Sequence, residues 1–276
     1  MTRLYAEVIG DPIAHSKSPL IHNFWLAKLG IDAEYRACHV RPDELEDYFT
    51  RRRGDTEWRG CNVTMPHKQA VLDFVDARGW SVGKLDAANC VVRTGTGLEA
   101  HNTDGAGVCD GLSRVSSDLW SVCLIGAGGA AVAAREELDA ICGDDLRLVA
   151  RDKAKAERFI DEFSFESRWF AFDEVANAMR DANGVINASP LGMTGRPAMP
   201  EPVLDALALT SAESFVFDMV YAPLETDLLK RAKALKRQRV DGLVMLVGQA
   251  AAAFEMFFGQ PAPREHDGKL RALLTA

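Results

Sequence analysis

The stretch Ser121-Val-Cys-Leu-Ile-Gly-Ala-Gly-Gly-Ala-Ala131 decides the fold of this chain. A short apolar run ends in Gly126, Gly128 and Gly129, and an alanine-rich, helix-prone segment follows at once. This order of strand, glycine turn and helix start is typical of a dinucleotide pyrophosphate site. Gly126 permits the tight turn, and Gly128 lets backbone N–H groups approach the phosphates without a Cβ in the way. The anion then lies where unpaired N–H groups and the helix dipole point.

The motif alone leaves two interpretations open. It is a nucleotide site, or it is an ordinary glycine turn ahead of a buried helix. Ala131 occupies the third small position, where it lets the helix lie close to the strand. Because a strand precedes the turn and a helix follows it, we favour the nucleotide site.

Length and composition exclude several classes of function. The chain has 276 residues, enough for two domains that each bury a core. Its formal net charge is −8, so we expect no nucleic-acid partner. The longest apolar stretch, Leu243 to Phe258, contains Gln249 and Glu255. We therefore expect a buried helix there and no membrane span.

Cysteine usage and the N-terminus predict the compartment. We interpret the cysteines as reduced core residues, since they lack C-x-x-C spacing and most lie among apolar residues: Cys38, Cys61, Cys90, Cys109, Cys123 and Cys142. The chain opens directly into a strand-like run, which predicts that it has no signal peptide. We expect a cytoplasmic protein, either a monomer or a homodimer.

Strand and helix patterns alternate along the chain. We predict strands at 4–9, 33–40, 60–64, 121–125, 146–150, 184–188 and 215–219, a hairpin at 91–100, and helices at 18–29, 42–52, 66–77, 129–140, 153–163, 225–236 and 243–258. This alternation indicates an α/β protein with mainly parallel sheets and helices on both faces. We predict an α/β substrate domain at 1–104 and a Rossmann-type, doubly wound dinucleotide domain at 105–240. The C-terminal helices, 241–276, return to the first domain or bridge the two.

Polar clusters in the first half could bind a substrate, which a Rossmann unit alone does not do. Ser16 and Ser18 precede a helix, where hydroxyls and helix N–H groups could bind a carboxylate; Ser18 could instead only cap that helix, with Pro19 at its first position. Asn62 and Thr64 alternate on a short strand, so both point to one face.

Two further residues could carry acid–base chemistry. Lys68 falls in the first turn of the helix predicted at 66–77. Because the helix dipole disfavours a positive charge at that end, this position suggests a functional role for the lysine. Asp104 follows His101-Asn-Thr at the predicted domain boundary, with Asn89 on the preceding strand. Asp104 could simply cap a helix, or it could form an acid/base pair with Lys68.

Together the clusters resemble the shikimate dehydrogenase family along nearly the whole chain. Seven motifs in the family's order carry the resemblance: His15-Ser-Lys-Ser-Pro19, Asn62-Val-Thr-Met-Pro-His-Lys68, Asn102-Thr-Asp104, Gly126-Ala-Gly-Gly-Ala-Ala131, Ile186-Asn-Ala-Ser-Pro-Leu-Gly-Met193, Asp218-Met-Val-Tyr-Ala-Pro-Leu-Glu-Thr226 and Asp241-Gly-Leu-Val-Met-Leu-Val-Gly-Gln249. The resemblance implies an NADP-dependent oxidoreductase that interconverts shikimate, a small polyhydroxy carboxylate, and 3-dehydroshikimate by hydride transfer. This is a step of aromatic amino-acid biosynthesis.

The resemblance also implies roles for single residues. Lys68 and Asp104 flank the reacting oxygen as catalytic residues; Lys68 either carries the proton or stabilises alkoxide charge while water carries it. The substrate carboxylate and hydroxyls are held by Ser16, Ser18, Asn62, Thr64, Asn89 and Gln249, and Tyr221 lines the substrate side. The dinucleotide contacts Gly126, Ala127, Gly128, Gly129, Ala130, Arg151, Lys153, Ser189, Met219 and Gly242.

Cofactor choice is predicted by the residues after the second Rossmann strand, Ala150-Arg-Asp-Lys153. NADP-binding members of the family typically carry Asn-Arg-Thr there. Arg151 and Lys153 suit a 2′-phosphate, whereas Asp152 would repel it. We therefore favour NADP, with NAD use left open.

Three departures from the family pattern leave the substrate open. His101 stands where the family usually has glycine, Cys90 where it has threonine, and Asp86-Ala-Ala-Asn89 where it has Gly-Ala-Val-Asn. Quinate and aminoshikimate are therefore alternative substrates.

Outside this activity, other classes of protein fit less well. A dinucleotide-binding regulator without catalysis is disfavoured by the presence of Lys68 and Asp104. A methyltransferase that uses the glycine turn for S-adenosylmethionine fits a substrate domain ahead of the turn poorly. A metal enzyme built on His15, His22 and His67 is the weakest alternative, since no ligand spacing supports it, and we expect no metal.

Overall fold

The computed structural model describes residues 3–82, 86–115, 121–141, 145–161 and 166–276. The chain divides into two compact units. Unit 1 comprises Met1–Thr103 and Gln249–Ala276, and unit 2 comprises Asp104–Gly248. In the described part of the chain, no helix is long and apolar enough to cross a membrane.

The strands are β1 Leu4–Gly10, β2 Ala33–His39, β3 Trp58–Val63, β4 Ala77–Arg78, β5 Cys90–Thr94, β6 Gly97–His101, β7 Ser121–Ile125, β8 Asp145–Val149, β9 Ser167–Phe170, β10 Gly184–Asn187, β11 Phe215–Asp218 and β12 Gln238–Val240. The α-helices are α1 Ser18–Leu29, α2 Leu45–Gly54, α3 Asp104–Leu112, α4 Gly129–Ile141, α5 Lys153–Ile160, α6 Val175–Met179, α7 Glu201–Ala206, α8 Asp227–Ala234, α9 Gly242–Phe258 and α10 Asp267–Thr275. Short 3₁₀ segments include Pro42–Glu44 and Ala70–Phe74.

Unit 2 is a doubly wound parallel sheet, as predicted. Its strand order is β12-β11-β10-β7-β8-β9, and every pair is parallel. Successive residues of β7 pack into two different clusters of buried side chains. Val122 and Leu124 belong to one cluster, and Cys123 and Ile125 belong to the other. Because strand side chains alternate between faces, both faces of the sheet are covered. The chain reverses its winding between β7 and β10, where such sheets bind ligands.

Unit 1 contains a mixed sheet in the order β2-β1-β3-β5-β6-β4. β1 pairs in parallel with β2 and β3, whereas β5 runs antiparallel to both β3 and β6. The antiparallel pairs come from the predicted hairpin, which is confirmed with Thr94 opposite Gly97 at its turn. β4 also pairs in parallel with β6, so three of the five strand pairs of this sheet are parallel and the expectation of mainly parallel sheets is confirmed here too.

A buried ion-pair network stabilises unit 1 next to β1. The carboxylate of Glu7 is 1% exposed and accepts hydrogen bonds from Arg36, Arg52 and the hydroxyl of Tyr48, at 2.7–3.0 Å. A carboxylate buried this deeply requires such partners, since its desolvation is costly without them. The network joins β1 to β2 and α2.

The helix predicted at 66–77 is wrong. Residues 65–69 form turns, a 3₁₀ segment follows at Ala70–Phe74, and the chain then enters β4. The carbonyl of Lys68 accepts a hydrogen bond from the N–H of Ala88 at 2.7 Å. This carbonyl therefore bonds to a residue twenty positions later instead of to the fourth residue after it, as it would in an α-helix. Lys68 therefore does not lie in the first turn of an α-helix, and the inference drawn from the helix dipole fails.

The start of α1 also differs from the prediction. Lys17, not Ser18, occupies the N-cap position, and Ser18 is the first helical residue. The N–H of Ser18 donates instead to the hydroxyl of Ser16 at 3.3 Å. The side chain of Ser18 is therefore not the helix cap.

The cysteines only partly match their predicted place in the core. Cys61, Cys90 and Cys123 are buried and Cys38 is half-buried, but Cys109 is exposed on α3. All five are free thiols. Cys142 lies outside the described residues.

Candidate active site

Gly126 at the end of β7 adopts a backbone conformation that favours glycine. Its φ is +102°, and a Cβ there would lie 3.0 Å from the Cβ of Ser189 and 3.2 Å from its backbone nitrogen. Its N–H donates to the carbonyl of Val149 at 2.8 Å, which ties the turn to β8. Any larger residue would push the turn away from the loop that follows β10.

The start of α4 has the opposite surroundings. A Cβ at Gly128 or Gly129 would meet no heavy atom within 4 Å, so the backbone here faces open space. Ala131, one turn on, is completely buried. Free space over the N–H groups at a helix start, next to a tightly packed turn, fits the pyrophosphate of a dinucleotide.

The loops after β10 and β11 are joined by buried hydrogen bonds. The side-chain oxygen of Asn187 accepts from the hydroxyl of Ser189 at 2.7 Å, and its amide donates to Asp218 at 2.9 Å. The N–H of Met219 donates to the carbonyl of Asn187 at 3.0 Å. A Cβ at Gly242 would lie 2.3 Å from the carbonyl oxygen of Met219. The structure thus brings Ser189, Met219 and Gly242 to the carboxyl ends of neighbouring strands.

The residues after β8 include a helix cap that the sequence interpretation did not recognise. Asp152 is the N-cap of α5, and its Oδ1 accepts the N–H of Lys155 at 2.9 Å. Its negative charge is therefore partly balanced by the helix start. Lys153 lies 3.7 Å from Glu157 and 5.4 Å above the ring of Trp169, whereas Arg151 is exposed and pairs with no carboxylate among the described residues.

In unit 1, hydrogen bonds connect five residues that lie far apart in the sequence. The hydroxyl of Tyr35 donates to Asn62 at 2.6 Å, and the amide of Asn62 donates to the backbone oxygen of Asn89 at 3.1 Å. Asn89 exchanges hydrogen bonds with Thr103: its amide donates to the hydroxyl at 3.0 Å, and its oxygen accepts the backbone N–H at 2.7 Å. That hydroxyl also lies 3.4 Å from the side-chain oxygen of Gln249. We call these five residues the amide ring, a name for the open chain of hydrogen bonds that runs from Tyr35 to Gln249.

The amide ring contains three residues selected from sequence and two that were not. Asn62, Asn89 and Gln249 were predicted to hold substrate hydroxyls. Tyr35 and Thr103 act through those residues: Thr103 lies inside the Asn102-Thr-Asp104 motif without having been selected, and Tyr35 lies in no motif. Asn62 is only 6% exposed and its amide group is already engaged at both ends.

Lys68 and Thr64 follow β3 in the same unit as the amide ring. The N–H of Thr64 continues the sheet by donating to Ile9 at 3.0 Å, and the neighbouring His67 is buried with its Nε2 2.7 Å from the carbonyl of Val40. With the bond from Ala88 to the carbonyl of Lys68, these contacts fix the backbone on both sides of the lysine. Lys68 itself is half-buried.

The loop before α1 is held from two sides. Ser16 donates its N–H to Ile13 at 3.0 Å and accepts from Ser18 through its hydroxyl. The ammonium of Lys17 donates to the carbonyl of Leu274 in α10. The two serines predicted to bind a carboxylate therefore lie on an anchored loop at a helix start.

Asp104 and Tyr221 belong to unit 2. Asp104 is the first residue of α3, and Tyr221 follows β11 with 36% of its surface exposed. Because both residues belong to unit 2, the structure of unit 1 by itself does not place them beside the substrate-binding residues predicted there.

The histidines considered as metal ligands have other surroundings. His22 is fully buried and stacks on Tyr35 with ring centroids 3.9 Å apart; burial lowers its pKa to about 3. Among the described residues, no group of three or more histidine, cysteine, aspartate or glutamate side chains could hold a metal ion.

Comparison with known proteins identifies the family. The profile of the shikimate dehydrogenase substrate binding domain matches residues 8–91, and that of the shikimate 5'-dehydrogenase C-terminal domain matches residues 242–266. A shikimate dehydrogenase (NADP(+)) from Sphingopyxis alaskensis is 45% identical over 273 residues, which cover 99% of this chain and 97% of that protein. This chain belongs to the shikimate dehydrogenase family.

Solved structures agree with this family membership. A shikimate 5-dehydrogenase from Listeria monocytogenes, in complex with shikimate and NAD, superposes with a TM-score of 0.86 at 28% identity, covering 99% of this chain and 96% of that one. A shikimate dehydrogenase in complex with NADP+ gives a TM-score of 0.87 at 26% identity, with the same two coverages. The predicted family and fold class are confirmed.

Two departures from the family pattern have a packing explanation. The imidazole of His101 covers Gly79, where a Cβ would lie 2.5 Å from its Nδ1, and its Nε2 is 3.4 Å from Glu99. Cys90 is completely buried among apolar side chains that include Val8 and Phe257. Within unit 1, His101 thus packs on Gly79 beside Glu99, and Cys90 is part of the apolar core.

Proposed function

We propose that this protein is an NADP-dependent oxidoreductase that interconverts shikimate and 3-dehydroshikimate. The observation that carries the proposal is the amide ring, present in a chain 45% identical to a shikimate dehydrogenase over almost its whole length. Unit 1 binds the substrate in this proposal, and unit 2 binds the dinucleotide.

The side chains of unit 1 suit a polyhydroxy carboxylate. Amides and hydroxyls both donate and accept, so Asn89, Gln249 and Thr64 can each bind an alcohol without placing a charge beside it. Ser16 and Ser18 lie at the start of α1, where a carboxylate is stabilised by hydroxyls and by the helix dipole. Asn62 supports this set chiefly by holding Asn89 in place.

Lys68 and Asp104 have the proton-handling roles in this proposal. When bound, the dinucleotide supplies the hydride acceptor or donor. Oxidation of a secondary alcohol also requires a group that receives the hydroxyl proton, and reduction requires one that returns it. Lys68 either exchanges that proton or stabilises charge on the oxygen while water exchanges it, and Asp104 orients the same hydroxyl.

The dinucleotide site favours NADP on charge grounds. The exposed guanidinium of Arg151 is available for the 2′-phosphate, and Lys153 lies two residues away, at the start of α5. Asp152 is engaged in capping α5, which reduces its repulsion of that phosphate. Tyr221 lies on the substrate side, and Met219 and Gly242 on the nicotinamide side. We place the protein in the cytoplasm, as a monomer or a homodimer.

An absorbance assay tests the proposed reaction. Purified protein should oxidise NADPH when 3-dehydroshikimate is added, and should act more slowly on the corresponding quinate-pathway and amine substrates. Lys68→Ala should lower kcat by roughly 10², the range for losing a positioned proton-transfer group. Lys28→Ala, which removes an exposed lysine above Phe24, is the matched control and should leave kcat unchanged.

The outcomes separate the alternatives. Faster turnover of quinate or of the amine would assign the protein to that substrate instead. Saturable NADPH binding without turnover of any of the three would favour the regulator without catalysis. Near wild-type kcat for Lys68→Ala would exclude the lysine from proton transfer.

A further inference from the structure

Asp218, the last residue of β11, is a completely buried carboxylate without a cation beside it. Its Oδ1 accepts from the amide of Asn187 at 2.9 Å and from the N–H of Val220 at 3.0 Å, and its Oδ2 accepts from the hydroxyl of Thr226 at 2.6 Å. Within the described part of the chain, no lysine, arginine or histidine forms an ion pair with it. This differs from Glu7, the other fully buried carboxylate described above, which is paired with arginines.

The partners of Asp218 favour its ionised form. The N–H of Val220 and the amide of Asn187 can only donate toward it. The hydroxyl of Thr226 accepts from the N–H of Leu229, so its own hydrogen is directed at Asp218. Burial raises the pKa of Asp218 above its usual value, but these three donors oppose that rise because they stabilise the carboxylate. Among the described residues, the groups that balance this negative charge are dipoles, including the start of α8.

The position of this charge is specific. Asp218 directly precedes Met219, and its carboxylate bonds to the N–H of Val220 on the other side of that residue. The carbonyl of Met219 in turn packs against Gly242. Met219 and Gly242 are the residues that the proposed function places against the nicotinamide, so the charge lies just behind that part of the site.

A charge so placed distinguishes the two states of a nicotinamide. The oxidised ring carries a positive charge and the reduced ring is neutral, while the rest of the dinucleotide is the same. At an effective dielectric constant of about 20, a unit charge on the order of 10 Å away changes an affinity by roughly tenfold. Hydrogen bonding of Asp218 to the two loops would, in contrast, support both states equally.

We propose that the buried charge of Asp218 makes the protein bind NADP+ more tightly, relative to NADPH, than the same site would without it. This inference rests on the proposed placement of the nicotinamide beside Met219 and Gly242. It concerns cofactor affinity in the absence of substrate, so it can fail while the proposed reaction stands.

The test is the ratio of two dissociation constants. NADP+ and NADPH are titrated separately against wild type and Asp218→Asn, followed by protein fluorescence without substrate. We expect Asp218→Asn to weaken NADP+ about tenfold, equivalent to about 1.4 kcal/mol, and to change NADPH by less than about twofold. Equal weakening of both, or no change in either, would overturn the proposal.

Two further variants separate charge from hydrogen bonding. Thr226→Val removes one hydrogen bond to the same carboxylate but keeps its charge, so it should change both affinities equally and leave their ratio at the wild-type value. The exchange Asn187→Asp with Asp218→Asn keeps the pair and returns the charge to the adjacent strand. It should restore the NADP+ preference, and it supplies the readout if Asp218→Asn alone does not fold. A ratio as low as in Asp218→Asn would contradict the proposal.

Discussion

The glycine turn of unit 2 and the amide ring of unit 1 are built on opposite principles. In the proposed function, the turn binds its ligand through backbone N–H groups, which every residue except proline carries. Its sequence therefore needs glycine, which has no Cβ, at the positions where the backbone must be accessible or closely packed. The ring offers side chains, and each is oriented by another that lies far away in the sequence, 27 residues for Tyr35 and Asn62 and 146 for Thr103 and Gln249. A site of the first kind is disrupted by adding an atom, and one of the second kind by removing one.

The largest effect should come from adding atoms to the turn. Gly126→Val places side-chain atoms where a Cβ already lies 3.0 Å from Ser189, at a φ that valine strongly disfavours. We expect saturable NADPH binding to be lost and Tm to fall. Gly128→Val, in open space, should weaken NADPH while Tm stays near the wild-type value.

Gly95 provides the control for these glycine variants. It lies in the hairpin turn of unit 1, and a Cβ there would meet nothing within 4 Å. Gly95→Ala should leave both NADPH affinity and Tm unchanged. If Gly128→Val bound NADPH as tightly as wild type, the open space over α4 would not be the phosphate site.

Acid should weaken unit 1 through the histidine that supports the amide ring. His22 has a pKa of about 3 when folded against about 6.5 when unfolded, so below pH 6.5 the unfolded chain binds a proton that the folded chain does not. The free energy of unfolding should therefore fall as pH falls from 6.5 toward 3. From this group alone, the loss between pH 7 and pH 5 is about 2 kcal/mol.

Urea denaturation at the two pH values measures this effect. His22→Phe keeps an aromatic ring against Tyr35 and removes the titration, so its stability should depend less on pH by that amount. His15→Gln changes an exposed histidine and should behave as wild type. An unchanged pH dependence in His22→Phe would show that another group causes the acid sensitivity.

Removing one charge after β8 should have a smaller and selective effect. Arg151→Ala should weaken NADP about tenfold or more, since a hydrogen bond to a charged group contributes about 1.5–3 kcal/mol, and should hardly affect NAD. Arg158→Ala, an exposed arginine on α5, is the matched control. Equal losses for NADP and NAD would mean that Arg151 does not bind the 2′-phosphate.

The smallest effect should come from removing one atom within the amide ring. Tyr35→Phe deletes the hydroxyl that orients Asn62, and a net loss of about 1 kcal/mol predicts an increase in KM for shikimate of roughly fivefold. Tyr48→Phe also deletes a buried hydroxyl in unit 1, but that hydroxyl donates to Glu7. It should lower stability and leave KM unchanged. Equal KM values for both variants would remove Tyr35 from the substrate site.

The same contrast explains what could be predicted from sequence. The strand, turn and helix around Gly126 were predicted almost to the residue because the apolar run, the glycines and the alanine-rich segment that mark them are adjacent in the sequence. The helix predicted after Pro66 was wrong because the carbonyl of Lys68 bonds to Ala88, twenty positions along the chain, which no local pattern reveals. The short strands β4, β9 and β12 were missed for a related reason, since strands of two to four residues form only because a neighbouring strand is present.

The candidate site shows this division residue by residue. Asn62 and Asn89 could be selected because they lie in motifs, but what holds them could not. Tyr35 looks like any core tyrosine of a strand, and its role depends on one hydrogen bond across the sheet. The capping role of Asp152 could have been predicted, since aspartate is a common residue before a helix. From the sequence, we instead considered only the repulsion between its charge and the 2′-phosphate.

The packing of His101 on Gly79 couples the two positions energetically. A Cβ at position 79 would lie 2.5 Å from Nδ1 of the imidazole, so a larger residue there requires the ring of His101 to move. Replacing His101 by glycine removes the imidazole and this close contact with it. The two positions are therefore epistatic: a substitution at 79 should cost more stability while the histidine is present than after it has been removed.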